Sequence, residues 1–261
     1  MKKIIILFLL LFTLPLYACN QGGSDLSLPP VVDITPLPDI PTDEEENEDA
    51  SKKKSYIVST VNGLRIRKSA NSSSTILGYL DKNDALFLIE KQGNFYKTIY
   101  KEQTAFVHAS YCTIMDIETS IDVVEKAIDI GATLLGHPYV WGSQRYHWGN
   151  GVLNKNFVAG EFDCSALVQY VYYKSNKILL DVTSRAQSNN GVEVNRSELK
   201  RGDLMFFTNA SRKNKTGVER IGHVAIYFGN NYILHTATDH AVIEPISTVR
   251  WSYYITSRRV V

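Results

Sequence analysis

The sequence predicts an α+β protein in which a small all-β barrel precedes a domain built from a central helix packed on an antiparallel sheet. Three observations lead to this prediction. Short segments that alternate apolar and polar residues, separated by turn signals, run from residue 55 to about 115. Residues 162–173 begin polar and continue apolar on nearly every face, as a buried helix does. Two strand-like runs then flank a Gly-Asn-Asn turn at residues 229–231.

Charge is distributed unevenly along the chain. The 261 residues carry a formal net charge of +1, which excludes a uniformly basic nucleic-acid-binding protein and a uniformly acidic disordered chain. Residues 20–51 contain nine acids and no base, so residues 52–261 carry 26 bases, 18 acids and a balance of +8. This balance suits an anionic cell envelope, and no helix or aromatic-basic pattern supports nucleic-acid binding.

The N-terminus has the pattern of an export signal. Met-Lys-Lys precedes an apolar run over residues 4–16, which is too short for a comfortable membrane span. Residues 16–19, Leu-Tyr-Ala-Cys, resemble the lipobox of bacterial lipoproteins. We therefore predict a lipoprotein signal peptide over residues 1–18 and lipidation of Cys19, which would anchor the protein to a bacterial membrane, facing away from the cytoplasm. The alternative is an ordinary signal cleaved after Ala18, beside an incidental cysteine.

Residues 19–54 are predicted to be a disordered tether. From residue 20 they contain five prolines, two glycines and an acidic run with almost no aromatic residue. Such a composition cannot bury enough apolar surface to fold, and its prolines and like charges keep it extended. Binding of cations or of a partner by the acidic run is the alternative interpretation.

Residues 55–115 resemble a bacterial SH3 (SH3b) domain, which is a small β-barrel. The resemblance rests on Val-Asn-Gly-Leu-Arg-Ile-Arg at residues 61–67, Ile-Leu-Gly at 76–78 and Phe-Val-His-Ala-Ser-Tyr at 106–111. Cys112 follows this last phrase and is interpreted as a small buried apolar residue. The cysteine count also permits a disulfide between Cys112 and Cys164 in an oxidising compartment.

A second domain is predicted over residues 116–261. It starts with a helix signal over residues 119–136, with Thr119 or Ser120 as the N-cap, apolar residues at spacings of three and four, and Gly136 as the stop. The rest of the domain alternates a helix with several strands.

Cys164 is the candidate nucleophile of this domain. It lies in the first turn of the predicted helix at residues 162–173, where unpaired N–H groups and the helix dipole favour a thiolate. The alternative is a core cysteine that happens to start a helix.

Two histidines follow in the predicted hairpin. A three-residue loop would pair residue 228 with 232 and residue 225 with 235, which places His223 and His235 on one face as diagonal neighbours. One ring could then act as a general base toward Cys164 while the other orients it. An even loop would put the rings on opposite faces, and each histidine alone is as readily a surface or core residue.

These motifs together resemble the NlpC/P60 cysteine peptidases of bacterial cell walls. The resemblance rests on Asp-Cys-Ser at residues 163–165, Arg-Gly-Asp-Leu-Met-Phe-Phe at 201–207, Gly-His-Val-Ala-Ile-Tyr at 222–227 and a histidine twelve residues after the first. It implies a papain-like domain with Cys164 as nucleophile, His223 as base and acid, and His235 as the polar third residue. It also assigns substrate or oxyanion contacts to Tyr139, Asp163 and Ser165, and the Cys164 N–H as a second oxyanion donor.

The sequence departs from the family pattern in three places. Ser143 replaces a glycine after the Trp-Gly pair at 141–142, and a segment rich in aromatic residues and glycine runs over residues 144–161. Residues 181–184 replace a Pro-Arg phrase. We expect all three to border the cleft and residues 144–161 to form a loop over it.

The resemblance implies hydrolysis of peptidoglycan stem peptides, commonly between γ-D-glutamate and the following diamino acid, without a cofactor or metal. The sequence contains neither His-Glu-x-x-His nor Cys-x-x-Cys. Two other functions stay open: an amidase that cuts between muramic acid and L-Ala, and a non-enzymatic wall-binding lipoprotein. The expected partners are peptidoglycan or its free stem peptides and a membrane, and the expected state is a monomer.

Overall fold

The computed structural model describes residues 52–237 and 239–261. The predicted signal peptide, Cys19 and residues 20–51 of the predicted tether lie outside these ranges. The first strand begins at Lys53, so Lys53 and Lys54, which the sequence assigned to the tether, belong to the sheet. Lys54 is held there because its ammonium group contacts both Asp129 oxygens at 2.6 and 2.8 Å.

Eight strands form the N-terminal part of the described chain. They are β1 (Lys53–Ser59), β2 (Leu64–Arg67), β3 (Ile76–Leu80), β4 (Ala85–Phe87), β5 (Glu90–Gln92), β6 (Phe95–Tyr100), β7 (Gln103–His108) and β8 (Cys112–Glu118). The predicted single strand over residues 85–90 is thus two strands, and β8 was not predicted as a strand.

The C-terminal part of the described chain contains four α-helices and six strands. They are α1 (Asp122–Thr133), α2 (Cys164–Asn176), α3 (Ser184–Gln187), β9 (Val192–Val194), β10 (Leu204–Phe207), β11 (His223–Gly229), β12 (Tyr232–Ala237), β13 (His240–Pro245), α4 (Thr248–Ser252) and β14 (Tyr254–Arg259). None of the helices in the described ranges is long and apolar enough to cross a bilayer.

The strands form two antiparallel sheets, which confirms the predicted α+β class. A five-stranded sheet has the order β3-β2-β7-β6-β5, and a nine-stranded sheet has the order β8-β1-β4-β13-β12-β11-β10-β14-β9. Strands of the N-terminal part therefore extend the C-terminal sheet, through a pairing of Ala85 with Ile243. The predicted boundary between residues 115 and 116 falls within β8.

Helix α1 begins later than predicted. Its N-cap is Ile121, which makes no side-chain capping bond, whereas Thr119 and Ser120 precede it. The Glu125 carboxylate instead accepts the Ser120 N–H at 2.9 Å, which satisfies one backbone donor near the helix start. The helix ends at Thr133, before the predicted stop at Gly136.

Gly136 allows the N-terminal part to pack against the C-terminal part. Its φ is +84°, and a Cβ built there would lie 2.1 Å from the Tyr100 ring. Only glycine combines this backbone conformation with so close an approach.

Helix α2 packs against β11 and β12, as a central helix on a sheet. Nine of its residues, from Cys164 to Tyr172, are buried. Its all-round apolar surface is explained by this position, since α1 packs against it as well.

Candidate active site

The N-terminus of α2 is capped by the residue before Cys164. Asp163 has extended backbone angles, and its Oδ1 accepts the Ala166 N–H at 2.9 Å and the Ser165 hydroxyl at 3.0 Å. Cys164 is the first helical residue, so its N–H has no acceptor in a preceding turn. The cap thus fixes the helix start and directs an open backbone donor beside the thiol.

Arg145 and Ser143 hold this cap from outside the helix. Arg145 donates to Asp163 Oδ2 at 2.8 Å, to the Ser165 hydroxyl at 3.2 Å and to the Ser143 carbonyl at 2.7 Å. The Ser143 hydroxyl accepts the Asp163 N–H at 2.8 Å. Ser143, the departure from the Gly pattern, therefore supplies a hydrogen bond that a glycine could not. Sequence reasoning missed the role of Arg145, because no motif pointed to it.

These bonds occupy the side chains of two predicted substrate contacts. Asp163 and Ser165 are 6% and 4% exposed, and their oxygens bond to the helix start and to Arg145. The prediction that Asp163 and Ser165 contact the substrate stays a prediction. In the structure their side chains bond to the helix start and to Arg145, as residues that position Cys164 would.

Residues 144–161 pack along α2. The ring of Tyr146 lies 5.0 Å from that of Tyr170, and Phe157 stacks on Tyr170 at 5.4 Å. Arg145 brings the start of this segment to the residues on both sides of Cys164. Residues 181–184 also reach this region, because the backbone carbonyl of Val182 accepts a hydrogen bond from Arg145 Nε.

The two predicted histidines meet on the sheet. His223 Nε2 and His235 Nδ1 are 3.0 Å apart. Ile226 pairs with Leu234, which is the predicted register on the histidine side of the hairpin.

The loop of this hairpin differs from the prediction. Tyr227 pairs with Ile233 and Gly229 with Tyr232, so residue 228 does not pair with residue 232. A bulge at Phe228 takes up one residue, and the turn itself has two, Asn230 and Asn231, both with positive φ. Because of the bulge, the side chains of the two strands point to the same faces as they would with an odd-numbered loop. Both histidine rings therefore still lie on one side of the sheet.

Glu244 and Arg250 extend the histidine pair, and sequence reasoning missed both. His235 Nε2 lies 2.9 Å from Glu244 Oε1, and the Arg250 guanidinium contacts the same oxygen at 3.0 Å. Val242 pairs with His235, so Glu244 is its diagonal neighbour on the next strand. Alternation along residues 240–245 was the signal that could have found it.

The hydrogen-bond chain determines where the protons lie. Burial opposes ionisation of Glu244, but the bond from His235 and the charges of His235 and Arg250 outweigh it and lower its pKa. An ionised Glu244 accepts the His235 Nε2–H, so neutral His235 presents an unprotonated Nδ1 that accepts the His223 Nε2–H. The His223 Nδ1 is then the ring nitrogen free to take a proton.

Burial keeps the resting groups neutral. It raises the pKa of Cys164 to about 11, assisted by the Asp163 charge and opposed by the Val224 and Ser165 N–H groups and by Arg145. Burial, His235 and Arg250 hold the pKa of His223 well below 6.5. The sequence predicted a lowered thiol pKa from the helix N-terminus alone, and desolvation reverses that direction.

Tyr139 lies close enough to Cys164, the candidate nucleophile, for the two groups to interact electrostatically. Burial raises its pKa first, and the charges of Cys164 and Asp163 raise it further. The backbone of Tyr139 forms a parallel bridge with Phe162, two residues before Cys164. The ring is half-buried.

Cys112 and Cys164 are both free thiols. Cys112 begins β8, where its Sγ donates to the His108 carbonyl at 3.5 Å, while Cys164 begins α2. The disulfide that the cysteine count permitted does not form. Within the described ranges no group of His, Cys, Asp and Glu side chains is arranged to hold a metal ion.

Comparison with known proteins matches two families. The NlpC/P60 family matches residues 136–260, and the bacterial SH3 domain matches residues 62–113. Both predicted resemblances are confirmed.

Individual relatives match parts of the chain. A murein DD-endopeptidase MepS/murein LD-carboxypeptidase from Escherichia coli K12 is 31% identical over 152 residues, covering 58% of this chain and 69% of that protein. A γ-D-glutamyl-L-lysine dipeptidyl-peptidase from Bacillus cereus ATCC 10987 is 32% identical over 126 residues, covering 48% of this chain. The match spans only 32% of that relative's length. A solved NlpC/P60 family protein from the same organism has 25% identity and a TM-score of 0.42, covering 79% of this chain and 63% of that one.

Proposed function

This chain belongs to the NlpC/P60 family, and on that basis we propose that it is a cysteine endopeptidase that hydrolyses peptidoglycan stem peptides. The observation that carries the proposal is the hydrogen-bond chain His223–His235–Glu244, with contacts of 3.0 and 2.9 Å. The N–H of Val224, the residue after His223, bonds the Cys164 sulfur at the start of a buried helix, so the strand that carries His223 reaches the thiol. A neutral thiol next to a neutral, oriented imidazole is a nucleophile with its base.

The proposed reaction begins with proton transfer from the Cys164 thiol to His223 Nδ1 as sulfur attacks the peptide carbonyl. His235 and ionised Glu244 stabilise the imidazolium that forms. The imidazolium then gives its proton to the leaving amine, which departs and leaves a thioester on Cys164. Water, deprotonated by His223, attacks the thioester carbonyl, and the released thiolate recovers the proton.

The oxyanion of each tetrahedral intermediate needs donors beside the sulfur. The Cys164 N–H is one candidate, because the first helical N–H has no acceptor in its own helix. The Tyr139 hydroxyl is the second, and its raised pKa keeps it protonated and able to donate.

We propose cleavage between γ-D-glutamate and the following diamino acid. The name of the Bacillus cereus relative, a γ-D-glutamyl-L-lysine dipeptidyl-peptidase, supports this bond. The Escherichia coli relative is named for DD-endopeptidase and LD-carboxypeptidase activities, so other bonds of the stem are the main competitors.

The proposed site of action is the cell envelope. The signal and lipobox patterns support lipid attachment at Cys19, and the bacterial SH3 match supports contact with the wall. We propose that the protein acts there as a monomer. Replacing Cys19 with Ala should release it from membranes into the soluble fraction if the anchor exists.

One experiment tests the proposed reaction. Purified peptidoglycan fragments are incubated with the full chain and with Cys164→Ala, and the products are identified by mass spectrometry. We expect fragments that begin with the diamino acid, from the unaltered chain only. Release of the intact stem from muramic acid would indicate the amidase, and equal or absent products from both proteins would favour the wall-binding function.

A further inference from the structure

A cleft of about 450 Å³ opens on the SH3 part of the molecule. Its volume is in the range of sites that bind small ligands. The side chains that matter for its chemistry are Arg65, Arg67, Ser72, Phe95, His108 and Tyr111. None of the residues that line it carries a carboxylate.

Two arginines give the cleft a positive charge. Arg65 and Arg67 alternate with buried Ile66 on β2, so their side chains share a face of that strand. Arg67 is only 9% exposed, and one of its amino groups donates to the Ser74 carbonyl at 2.9 Å. Within the described residues neither guanidinium pairs with an Asp or Glu.

The imidazole of His108 adds a hydrogen-bond donor. The Ser110 N–H donates to His108 Nδ1 at 3.3 Å, so the neutral ring carries its proton on Nε2. The ring lies between two aromatic side chains, with centroids 5.0 Å from Phe95 and 5.6 Å from Tyr111. The cleft therefore combines hydrogen-bond donors with an aromatic wall.

We propose that this cleft binds a short peptide through a free carboxylate. A planar guanidinium matches the two oxygens of a carboxylate, and both charge and donors in the cleft favour an anion. The aromatic wall of Phe95 and Tyr111 then packs against the apolar part of the peptide. A peptide satisfies both halves of the cleft, whereas an inorganic anion satisfies only one.

The choice of a wall peptide as the ligand rests on the proposed function. A γ-linked glutamate keeps its α-carboxylate free, so γ-D-glutamyl-L-lysine offers two carboxylates and apolar methylene groups. The cleft would hold such a peptide on the wall-binding part of the chain while Cys164 acts on another.

The test is a titration of the full chain that carries Cys164→Ala, which prevents turnover. The probes are γ-D-glutamyl-L-lysine and the same dipeptide with both carboxylates converted to amides. The readout is the NMR signal of the His108 ring, which reports this cleft and not the candidate active site. We expect the free acid to shift this signal and the diamide to bind at least about tenfold more weakly.

Variants locate the binding. Arg65→Gln changes an exposed side chain and should weaken the dipeptide by about tenfold or more, with the fold checked by circular dichroism. Lys91→Gln, at another exposed position of the same sheet, is the matched control and should stay within about twofold. Arg67→Lys should retain part of the affinity, because lysine keeps the positive charge but lacks the planar guanidinium that can bind both carboxylate oxygens at once.

Three results would overturn the proposal: no shift of the His108 signal, equal shifts with acid and diamide, or equal losses in Arg65→Gln and Lys91→Gln. Inorganic phosphate that binds as tightly as the dipeptide would show a general anion site instead. Hydrolysis of purified stem-peptide fragments by the unaltered chain is measured separately. A shift of the His108 signal without hydrolysis supports the proposed cleft and rejects the proposed scissile bond. Hydrolysis without a shift supports the scissile bond and rejects the cleft.

Discussion

Two clusters in this molecule each join an arginine to a glutamate, and they differ in how completely their hydrogen bonds are satisfied. In the first, Arg201 donates to both Glu125 oxygens, to the Tyr56 hydroxyl and to the Phe228 carbonyl. In the second, Arg250 contacts Glu244, which continues to His235 and His223.

In the first cluster the two charged groups, Arg201 and Glu125, are paired with each other and buried. The Arg201 and Glu125 side chains are 5% and 9% exposed, and burial is outweighed by Arg201 so that the pKa of Glu125 is lowered. The cluster joins β1, α1 and the end of β11, which makes it a tie between the two parts of the chain. A buried network whose opposite charges are paired in this way orders the packing of the elements that it joins.

The second cluster ends on an open ring nitrogen. His223 Nδ1 has no partner in the chain of bonds that fixes its tautomer, and the Glu244 side chain is 32% exposed. In the proposed reaction this open ring nitrogen takes up a proton, whereas the first cluster only ties the two parts of the chain together. The following tests probe each side of this difference.

The largest expected effect is on the nucleophile. Cys164→Ala should lower kcat/KM for stem-peptide hydrolysis by at least about 1,000-fold, because it removes the proposed nucleophile. Cys112→Ala is the matched control, since that free, half-buried thiol begins a strand instead. Comparable losses in both variants would reject the assignment of Cys164.

Breaking the closed cluster should destabilise the fold. Arg201→Met leaves buried Glu125 with Lys54, at 3.2 Å, as its remaining charged partner, and we expect a loss of about 3 kcal/mol in the free energy of unfolding by urea. The double variant Arg201→Met with Glu125→Met removes both charges and should recover much of that loss. A single variant as stable as the unaltered chain would mean that the tie contributes nothing.

Neutralising the open cluster should affect the reaction and spare the fold. Glu244→Gln keeps an acceptor for His235 but removes the charge that stabilises the imidazolium, so kcat should fall by about tenfold with little change in KM. Glu118→Gln, an exposed change on edge strand β8, controls for loss of one acid. Equal KM and kcat changes, or a shifted unfolding midpoint, would point to a structural role for Glu244.

The smallest effect is a displacement of the pH profile. Protonated His223 cannot accept the thiol proton, so kcat/KM should fall only below pH 6.5, in line with the lowered pKa of this ring. Since burial raises the pKa of Cys164 to about 11, activity should stay level through about pH 9. A fall centred near pH 8 would instead indicate a resting thiolate–imidazolium pair.

Several features of the site could be predicted because they depend on local periodicity. The buried helix with Cys164 in its first turn follows from a polar start before an apolar run, and the placement of His223 and His235 follows from strand alternation. The same rule predicted the wrong loop length for this hairpin. A bulge at Phe228 and a two-residue loop place the side chains on the same faces as a three-residue loop would, so strand alternation alone cannot tell the two apart. The N-cap of α1 was also wrong, because Glu125 takes over the backbone donor at that end.

The amino-acid sequence alone specifies which chemical groups are present, their order, and the faces of the strands and helices that they occupy. It can do so because side-chain direction repeats every two residues in strands and about every 3.6 in helices. Tertiary structure alone decided that Arg145 meets Asp163 and that Glu244 completes the histidine chain. It also decided the direction of the Cys164 pKa, since desolvation depends on what surrounds the sulfur in space and not on its neighbours in sequence.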